Sequence, residues 1–218
     1  IYSFYRRFQI TVFVLLYIFS IPLTLLSEEV KGKILKQNLD STGNGYIVLK
    51  VWGTYREMGY AQGKLFTTQI SGGVDSFKKY LDNKYKPLKD EISKTFFPKD
   101  AEDEINGIVT GVKANIPAST IDADDIKVAN TYGDWKASPA CRSYLCWGSY
   151  VKAPTKTLST RVLMFDYPFK LLGTCQHLII AYSPSDKNLV RWVNFGFTGS
   201  VTVATGVNEY GTVSSLHD

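Results

Sequence analysis

The spacing of apolar residues predicts helices in the first half of the chain. In four stretches they recur every three or four positions, as on the buried face of a helix: 54–66, 74–85, 100–114 and 119–130. Before them, the run 46–52 is rich in β-branched and aromatic residues and predicts a strand. The first half is therefore expected to be mainly helical.

Local signals predict where some of these helices begin and end. Thr54 and Glu57 have the spacing of a capping box, which predicts that the first helix begins after Thr54. Pro87 is expected to end the second helix and Pro117 the third, because proline lacks a backbone N–H group.

From residue 141 onward the pattern predicts strands. Short β-branched and aromatic runs alternate with Gly, Pro, Asn and Asp, and the segment 183–188 reads as a hairpin turn. The predicted strands are 144–151, 161–165, 177–182, 189–195, 201–205 and 212–216. A helical part followed by a strand-rich part indicates the α+β class, with Cys141 at the boundary.

Residues 1–27 have the features of a secretory signal. Arg6 and Arg7 precede the apolar run Ile10–Leu26, and Glu28 follows soon after it. This order of charge and hydropathy is typical of a cleaved signal peptide, and a retained signal anchor is the alternative. We therefore expect the secretory pathway, with an extracellular or lysosomal destination, and membrane anchoring remains open.

Composition excludes several classes of function. With 218 residues, 44% apolar and 21% charged, the chain suits one globular domain, at most two. The net charge of +5 is spread without a Lys/Arg cluster, which argues against nucleic-acid binding. His177 and His217 show no metal-ligand spacing with the cysteines, and no phosphate loop or dinucleotide motif occurs. We therefore expect neither a metal nor a cofactor.

Cys141, Cys146 and Cys175 are too few for a disulfide framework. One nucleophile with a Cys146–Cys175 pair fits this count, and so do three inert buried thiols. Composition favours neither interpretation.

Cys141 follows the small residue Ala140, which leaves room for its thiol to attack the preceding carbonyl group. A thiol needs a base to become a thiolate near neutral pH. A cysteine freed as the first residue carries such a base, because its α-amine has a pKa of about 8. The simpler interpretation is a small buried thiol at the start of a strand.

The motifs around Cys141 resemble a known family. Ala140-Cys141-Arg142-Ser143-Tyr144 precedes Trp147-Gly148, then Asp166-Tyr167, then the segment 206–211, Gly-Val-Asn-Glu-Tyr-Gly. This ordered series resembles the cysteine-type N-terminal-nucleophile (Ntn) hydrolases, which include isopenicillin-N acyltransferase and relatives of acid ceramidase and choloylglycine hydrolase. Further similar segments are 53–63, 130–134 and 196–200, so the resemblance covers roughly Tyr46 to Asp218.

The resemblance implies an Ntn αββα four-layer sandwich. Residues 1–27 would be the signal, 28–140 a helical pro-region, and 141–218 the start of the catalytic part. Because so many strands are needed for two packed sheets, we expect this chain to supply only part of the sandwich.

The resemblance also assigns the other site residues. Asp166 would orient the freed α-amine, although it also suits a turn before Pro168. The family's Arg and Asn fall on Leu163 and Met164. Arg161 shares a strand face with Leu163 and is the substitute candidate, or else a solvated strand end.

Two further positions are candidates for structural or oxyanion roles. Asn208 lies in a turn whose role in the family is chiefly structural, and an oxyanion-hole N–H follows about ten residues later, at Asp218.

The implied function is a self-processing amidase or acyltransferase acting on small or lipid-like acyl amides. Self-cleavage would leave an α/β heterodimer, and transient contact with a membrane or lipid is left open. The alternative is a non-catalytic secreted or membrane-anchored binding protein on the same scaffold, which the loss of the Arg and Asn favours. A papain-like site at Cys146-Trp147 lacks the Cys-Gly-Ser-Cys frame.

Overall fold

The computed structural model describes residues 28–135, 142–152, 157–162, 177–203 and 205–215. Within them, helices cover one face of a six-stranded sheet, and two further strands pair separately. The elements are β1 (Gly32–Leu39), β2 (Gly45–Gly53), α1 (Tyr55–Leu65), α2 (Thr67–Leu81), α3 (Tyr85–Ile92), α4 (Lys99–Asn115), α5 (Ala123–Trp135), β3 (Arg142–Trp147), β4 (Thr157–Val162), β5 (His177–Pro184), β6 (Trp192–Phe197), β7 (Thr205–Asn208) and β8 (Val213–Ser215). The predicted α+β class is confirmed.

The large sheet contains strands from both sides of residue 141. Its order is β1-β2-β5-β6-β7-β8. β2 and β5 pair in parallel, from Tyr46 opposite His177 to Gly53 opposite Pro184, whereas the other neighbours are antiparallel. The segment 28–135 is therefore not purely helical, because it supplies two strands of this sheet.

The core lies between this sheet and the helices. Strand residues alternate between faces, and the inward residues of β2 and β5 are almost fully buried. They are Ile47, Leu49, Val51, Leu178, Ile180 and Tyr182. The helices contribute buried residues to the same cluster, among them Met58, Ile70, Ile105, Ile108 and Ile126.

Helices α1 and α4 touch backbone to backbone. Each carries two glycines four residues apart, Gly59 and Gly63 on α1, and Gly107 and Gly111 on α4. A Cβ atom on any of them would overlap the backbone of the opposite helix. The close approach of the two helices therefore requires glycine at these positions.

The structure confirms some predicted boundaries and corrects others. As predicted, α4 ends just before Pro117. Thr54 caps α1: its Oγ1 accepts from the N–H of Glu57, and the Glu57 carboxylate accepts from the N–H of Thr54. Pro87 does not end a helix but lies in the first turn of α3, where a missing N–H costs nothing. The segment 201–203 is not strand; the chain enters β7 at Thr205.

From β5 to β8, the outer face of the large sheet is largely apolar yet partly open to solvent, whereas Lys33, Lys36 and Lys50 lie on its β1–β2 side. Val48 lies opposite Ile179, which lies opposite Phe195, and Phe195 is 45% exposed. The next row begins with Lys50 at the β2 side and continues through Ala181, Val193, Val207 and Val213. A sheet that faced water permanently on this side would carry polar residues here.

Candidate functional site

The hairpin of β3 and β4 carries the described part of the predicted site. The strands are antiparallel, with Ser143 opposite Arg161 and Arg142 opposite Val162. The backbone at 161 therefore lies beside the strand that follows Cys141. Cys141, Asp166 and Asp218 lie outside the described residues.

Apolar side chains on both faces of this hairpin are exposed. Leu145 and Trp147 project from one face, while Tyr144, Leu158 and Val162 project from the other, and each is about half exposed or more. Cys146 is a free, half-buried thiol on β3, and its candidate partner Cys175 lies outside the described residues. Apolar residues on both faces are typical of a strand covered on both sides.

Asn208 builds the turn between β7 and β8. Its Oδ1 accepts from the backbone N–H groups of Tyr210 at 3.1 Å and Thr212 at 2.9 Å. Its own N–H donates to the Thr212 carbonyl at 3.0 Å. These contacts fix the turn between β7 and β8.

Two side-chain amides from the helices hold the loop 198–202. Gln62 Oε1 on α1 accepts from the N–H of Gly199 at 2.6 Å. Asn130 on α5 donates from Nδ2 to the Gly199 carbonyl at 2.9 Å, and its Oδ1 accepts from the N–H of Val201 at 2.8 Å. The last described helix before residue 141 is thereby fastened to a loop beyond it.

The sequence analysis did not identify Gln62 or Asn130 as functional, although both lie in segments that resemble the family. Gln62 adjoins Ala61 on the apolar stripe of α1 and is only 1% exposed. A polar residue on such a stripe indicates that its side chain has a buried hydrogen-bond partner. This sequence signal could have identified Gln62.

A buried carboxyl group was also missed. Glu104 on α4 is 3% exposed, and its Oε1 accepts from the Tyr182 hydroxyl at 2.7 Å. Burial raises the pKa of Glu104 to about 8, although the hydrogen bond from Tyr182 works in the opposite direction. Glu104 falls on the apolar stripe of Ile105 and Ile108. This helical spacing is the sequence signal that could have identified it as a buried acid.

Asp125 is the charged centre of a second polar cluster. Its side chain is fully buried and accepts from Lys89 at 2.6 Å, Tyr85 at 2.6 Å and Lys78 at 3.0 Å. Burial raises the pKa of Asp125, but the hydrogen bonds from Lys89, Tyr85 and Lys78 outweigh it and hold the pKa below its ordinary value. The cluster joins α2, α3 and α5 and is structural in character.

No family model matches the chain, and no curated protein matches it. Among the described residues, no helix is both long enough and apolar enough to cross a membrane. Within the same ranges, no three His, Cys, Asp or Glu side chains are grouped to hold a metal ion.

Proposed function

We propose that the chain is a self-processing amidase or acyltransferase whose nucleophile is Cys141, freed as an N-terminal residue. The observation that carries the proposal is the pairing of Arg142 with Val162. The segments leading to Cys141 and toward Asp166 thus leave the same end of one hairpin. A carboxylate that orients an α-amine by a charge-assisted hydrogen bond needs this proximity.

Self-cleavage begins when Cys141 Sγ attacks the carbonyl carbon of Ala140. The peptide C–N bond breaks, the thiol proton passes to the Cys141 nitrogen, and a thioester forms. Water hydrolyses the thioester and leaves a carboxylate on Ala140, with a free thiol and α-amine on Cys141.

The mature enzyme uses the same thiol on a substrate. The α-amine takes the thiol proton, the thiolate attacks the acyl carbonyl of a small acyl amide, and the amine product leaves with the proton. Water then releases the acyl group in a hydrolase, or a second nucleophile accepts it in a transferase.

Asp166 holds the α-amine in this mechanism, and Arg161 takes the place of the family's Arg. The backbone N–H of Asp218 is the proposed oxyanion donor, because of its place about ten residues after Asn208, and Asn208 itself holds the turn between β7 and β8. The mechanism as proposed uses no metal and no cofactor.

The proposed architecture is the Ntn four-layer sandwich. The apolar outer face of the large sheet would pack against a second sheet that includes the β3–β4 hairpin. The exposed Phe195 on the first sheet, and the exposed Leu145 and Trp147 on one face of the hairpin, support this arrangement, because face-to-face sheets bury such residues between them.

After cleavage we propose that the two fragments remain together as a heterodimer. The parallel pairing of β2 with β5 supports this, as do the contacts of Gln62 and Asn130 with the 198–202 loop. Residues 1–27 would direct the chain into the secretory pathway, toward an extracellular or lysosomal site. There it would act on small or lipid-like acyl amides and make transient contact with a membrane or lipid.

The alternative is a non-catalytic secreted or membrane-anchored binding protein on this scaffold. Leu163 and Met164 favour it, because they occupy the positions of the family's Arg and Asn. Such a protein would keep the same fold and remain a single uncut chain.

An incubation experiment distinguishes the two functions. Three folded proteins, wild type, Cys141→Ala and Cys146→Ala, are incubated in parallel at acidic and neutral pH. We expect wild type and Cys146→Ala to yield a fragment whose first residue is Cys141, as read by mass spectrometry, and Cys141→Ala to stay whole. An intact, folded wild type would contradict the enzyme proposal and favour the binding protein.

A further inference from the structure

Glu104 is a buried acid without a cationic partner in the described part of the chain. Its side chain lies between α4 and the inner face of the sheet, and burial is the main influence on its ionisation. Carboxylates in such surroundings are either paired with a cation or kept protonated, because burying an unpaired charge is costly.

The groups facing Glu104 are neutral. Tyr182 on β5 donates to it at 2.7 Å, and Tyr55 stands at the start of α1. Asn194 on β6 faces the Tyr182 hydroxyl, and Tyr182 stacks on Trp192 with ring centroids 4.1 Å apart. On α4 itself the nearby charge is Asp100, another acid. None of these groups compensates a negative charge on Glu104.

The contact joins two distant parts of the chain. Glu104 belongs to the segment before residue 141, whereas Tyr182 lies 78 positions further on, in the segment after it. Ionising Glu104 would place an uncompensated charge at the junction of the helix layer and the sheet. The stability of this junction must therefore depend on the protonation of Glu104.

We propose that Glu104 and Tyr182 form a pH-dependent latch between the segment before residue 141 and the segment after it. The latch is closed in acid solution and weakened in alkaline solution. It rests on the described contacts alone and holds whether or not the chain cleaves itself.

The direction follows from proton binding. The pKa of Glu104 is raised in the folded protein, to about 8, above the ordinary value that it regains on unfolding. Its contribution to stability is thus complete below that ordinary value and is lost as the pH rises toward about 8. In this window the folding equilibrium constant falls by up to about tenfold for each pH unit.

Asp125 acts in a separate window. The pKa of its carboxyl group is lowered in the folded state, so its contribution is present above the ordinary carboxyl pKa and is lost in stronger acid. The two groups together place the greatest stability in mildly acidic solution.

The test compares wild type with Glu104→Gln, which is nearly isosteric but cannot ionise. The urea midpoint of the full chain is measured from about pH 5 to about pH 9. We expect the wild-type midpoint to fall across this range and the Glu104→Gln midpoint to change much less. Parallel curves for the two proteins would overturn the proposal.

Two more variants refine the test. Glu102→Gln, on the same helix but 44% exposed at its side chain and paired with Lys127, is the matched control and should keep the wild-type slope. Tyr182→Phe removes the hydrogen bond that lowers the pKa of Glu104, so its slope should extend to higher pH. A Tyr182→Phe protein with no slope would contradict the latch.

A second measurement serves if Glu104→Gln does not fold. Wild-type protein labelled with carbon-13 at the glutamate carboxyl carbons is titrated by NMR. One glutamate that titrates well above the others supports the latch, and its absence overturns the proposal.

Discussion

Gln62 Oε1 accepts a hydrogen bond from the backbone N–H of Gly199 at 2.6 Å, in the buried interior and across 137 positions of sequence. The same glycine uses its carbonyl oxygen to accept from Asn130 Nδ2. Both polar groups of one residue are thus satisfied by side chains of the helix layer. The loop 198–202 therefore has a position fixed by residues far away in the chain.

Replacing Gln62 with Leu keeps the bulk of the side chain but leaves the Gly199 N–H buried without an acceptor. We expect a loss of about 1–3 kcal/mol in the free energy of unfolding, measured by urea denaturation. Gln69→Leu, at a half-buried position on α2, serves as the control and should change stability less. Equal effects at both positions would contradict a specific role for Gln62.

Gly107→Ala tests the backbone contact between α1 and α4. The new Cβ would overlap the Arg56 carbonyl oxygen and the backbone N of Tyr60, so the helices must separate. We expect a loss of about 3 kcal/mol in the free energy of unfolding.

Gly72→Ala is the matched control, since a Cβ at this position on α2 meets open space. There the higher helix propensity of alanine should stabilise the protein by about 0.5–1 kcal/mol. A neutral Gly107→Ala would show that α1 and α4 do not depend on close contact.

Asp125→Asn tests the charged cluster of α2, α3 and α5. The variant removes the charge that holds Lys89 and Lys78 and should cost about 3 kcal/mol near neutral pH. Because the pKa of Asp125 is lowered in the folded state, wild type should lose this advantage as the pH falls below the ordinary carboxyl pKa. The difference between the two proteins in urea midpoint should therefore shrink in strong acid.

Asp103→Asn is the control for this prediction. Asp103 pairs with Lys99 at an exposed position, where water screens the charges, and the change should have little effect at any pH. A difference between wild type and Asp125→Asn that persists unchanged in strong acid would contradict the assignment.

If cleavage occurs between Ala140 and Cys141, the two fragments should elute together in size-exclusion chromatography. They share the β2–β5 pairing and one buried core, so separation should require denaturant. Uncut Cys141→Ala gives the reference elution volume. Fragments that separate without denaturant would show that the junction is weaker than its contacts indicate.

The elements that were predicted correctly are determined by residues close together in the sequence. The Thr54–Glu57 capping box and the helix at 100–114 were confirmed nearly to the residue, because caps and 3.6-residue spacing are local signals. Strand β1 was missed because most of Gly32–Leu39 is exposed and has no strong alternation. Pro87 was misinterpreted because proline suits the first turn of a helix as well as its end.

What could not be predicted depends on distant residues. Nothing near Glu104 in the sequence indicates that its partner is Tyr182, and nothing near Tyr46 indicates parallel pairing with His177. For the candidate site, the motifs named Cys141, Asp166, Arg161, Asn208 and Asp218. In the structure, the backbone at 161 lies beside β3, and Asn208 holds the turn between β7 and β8. The proposed chemistry of Cys141 depends on the motif around it.

The parallel pairing of β2 with β5 sets an order of events during synthesis on the ribosome. β2 leaves the ribosome about 120 residues before His177, and the helices are made in between, so their apolar inner face lacks part of its covering until β5 follows. The nascent chain cannot complete its core until β5 emerges. During that interval its uncovered apolar surface is a target for chaperones, and a ribosome that stalls before β5 would release a chain prone to aggregation.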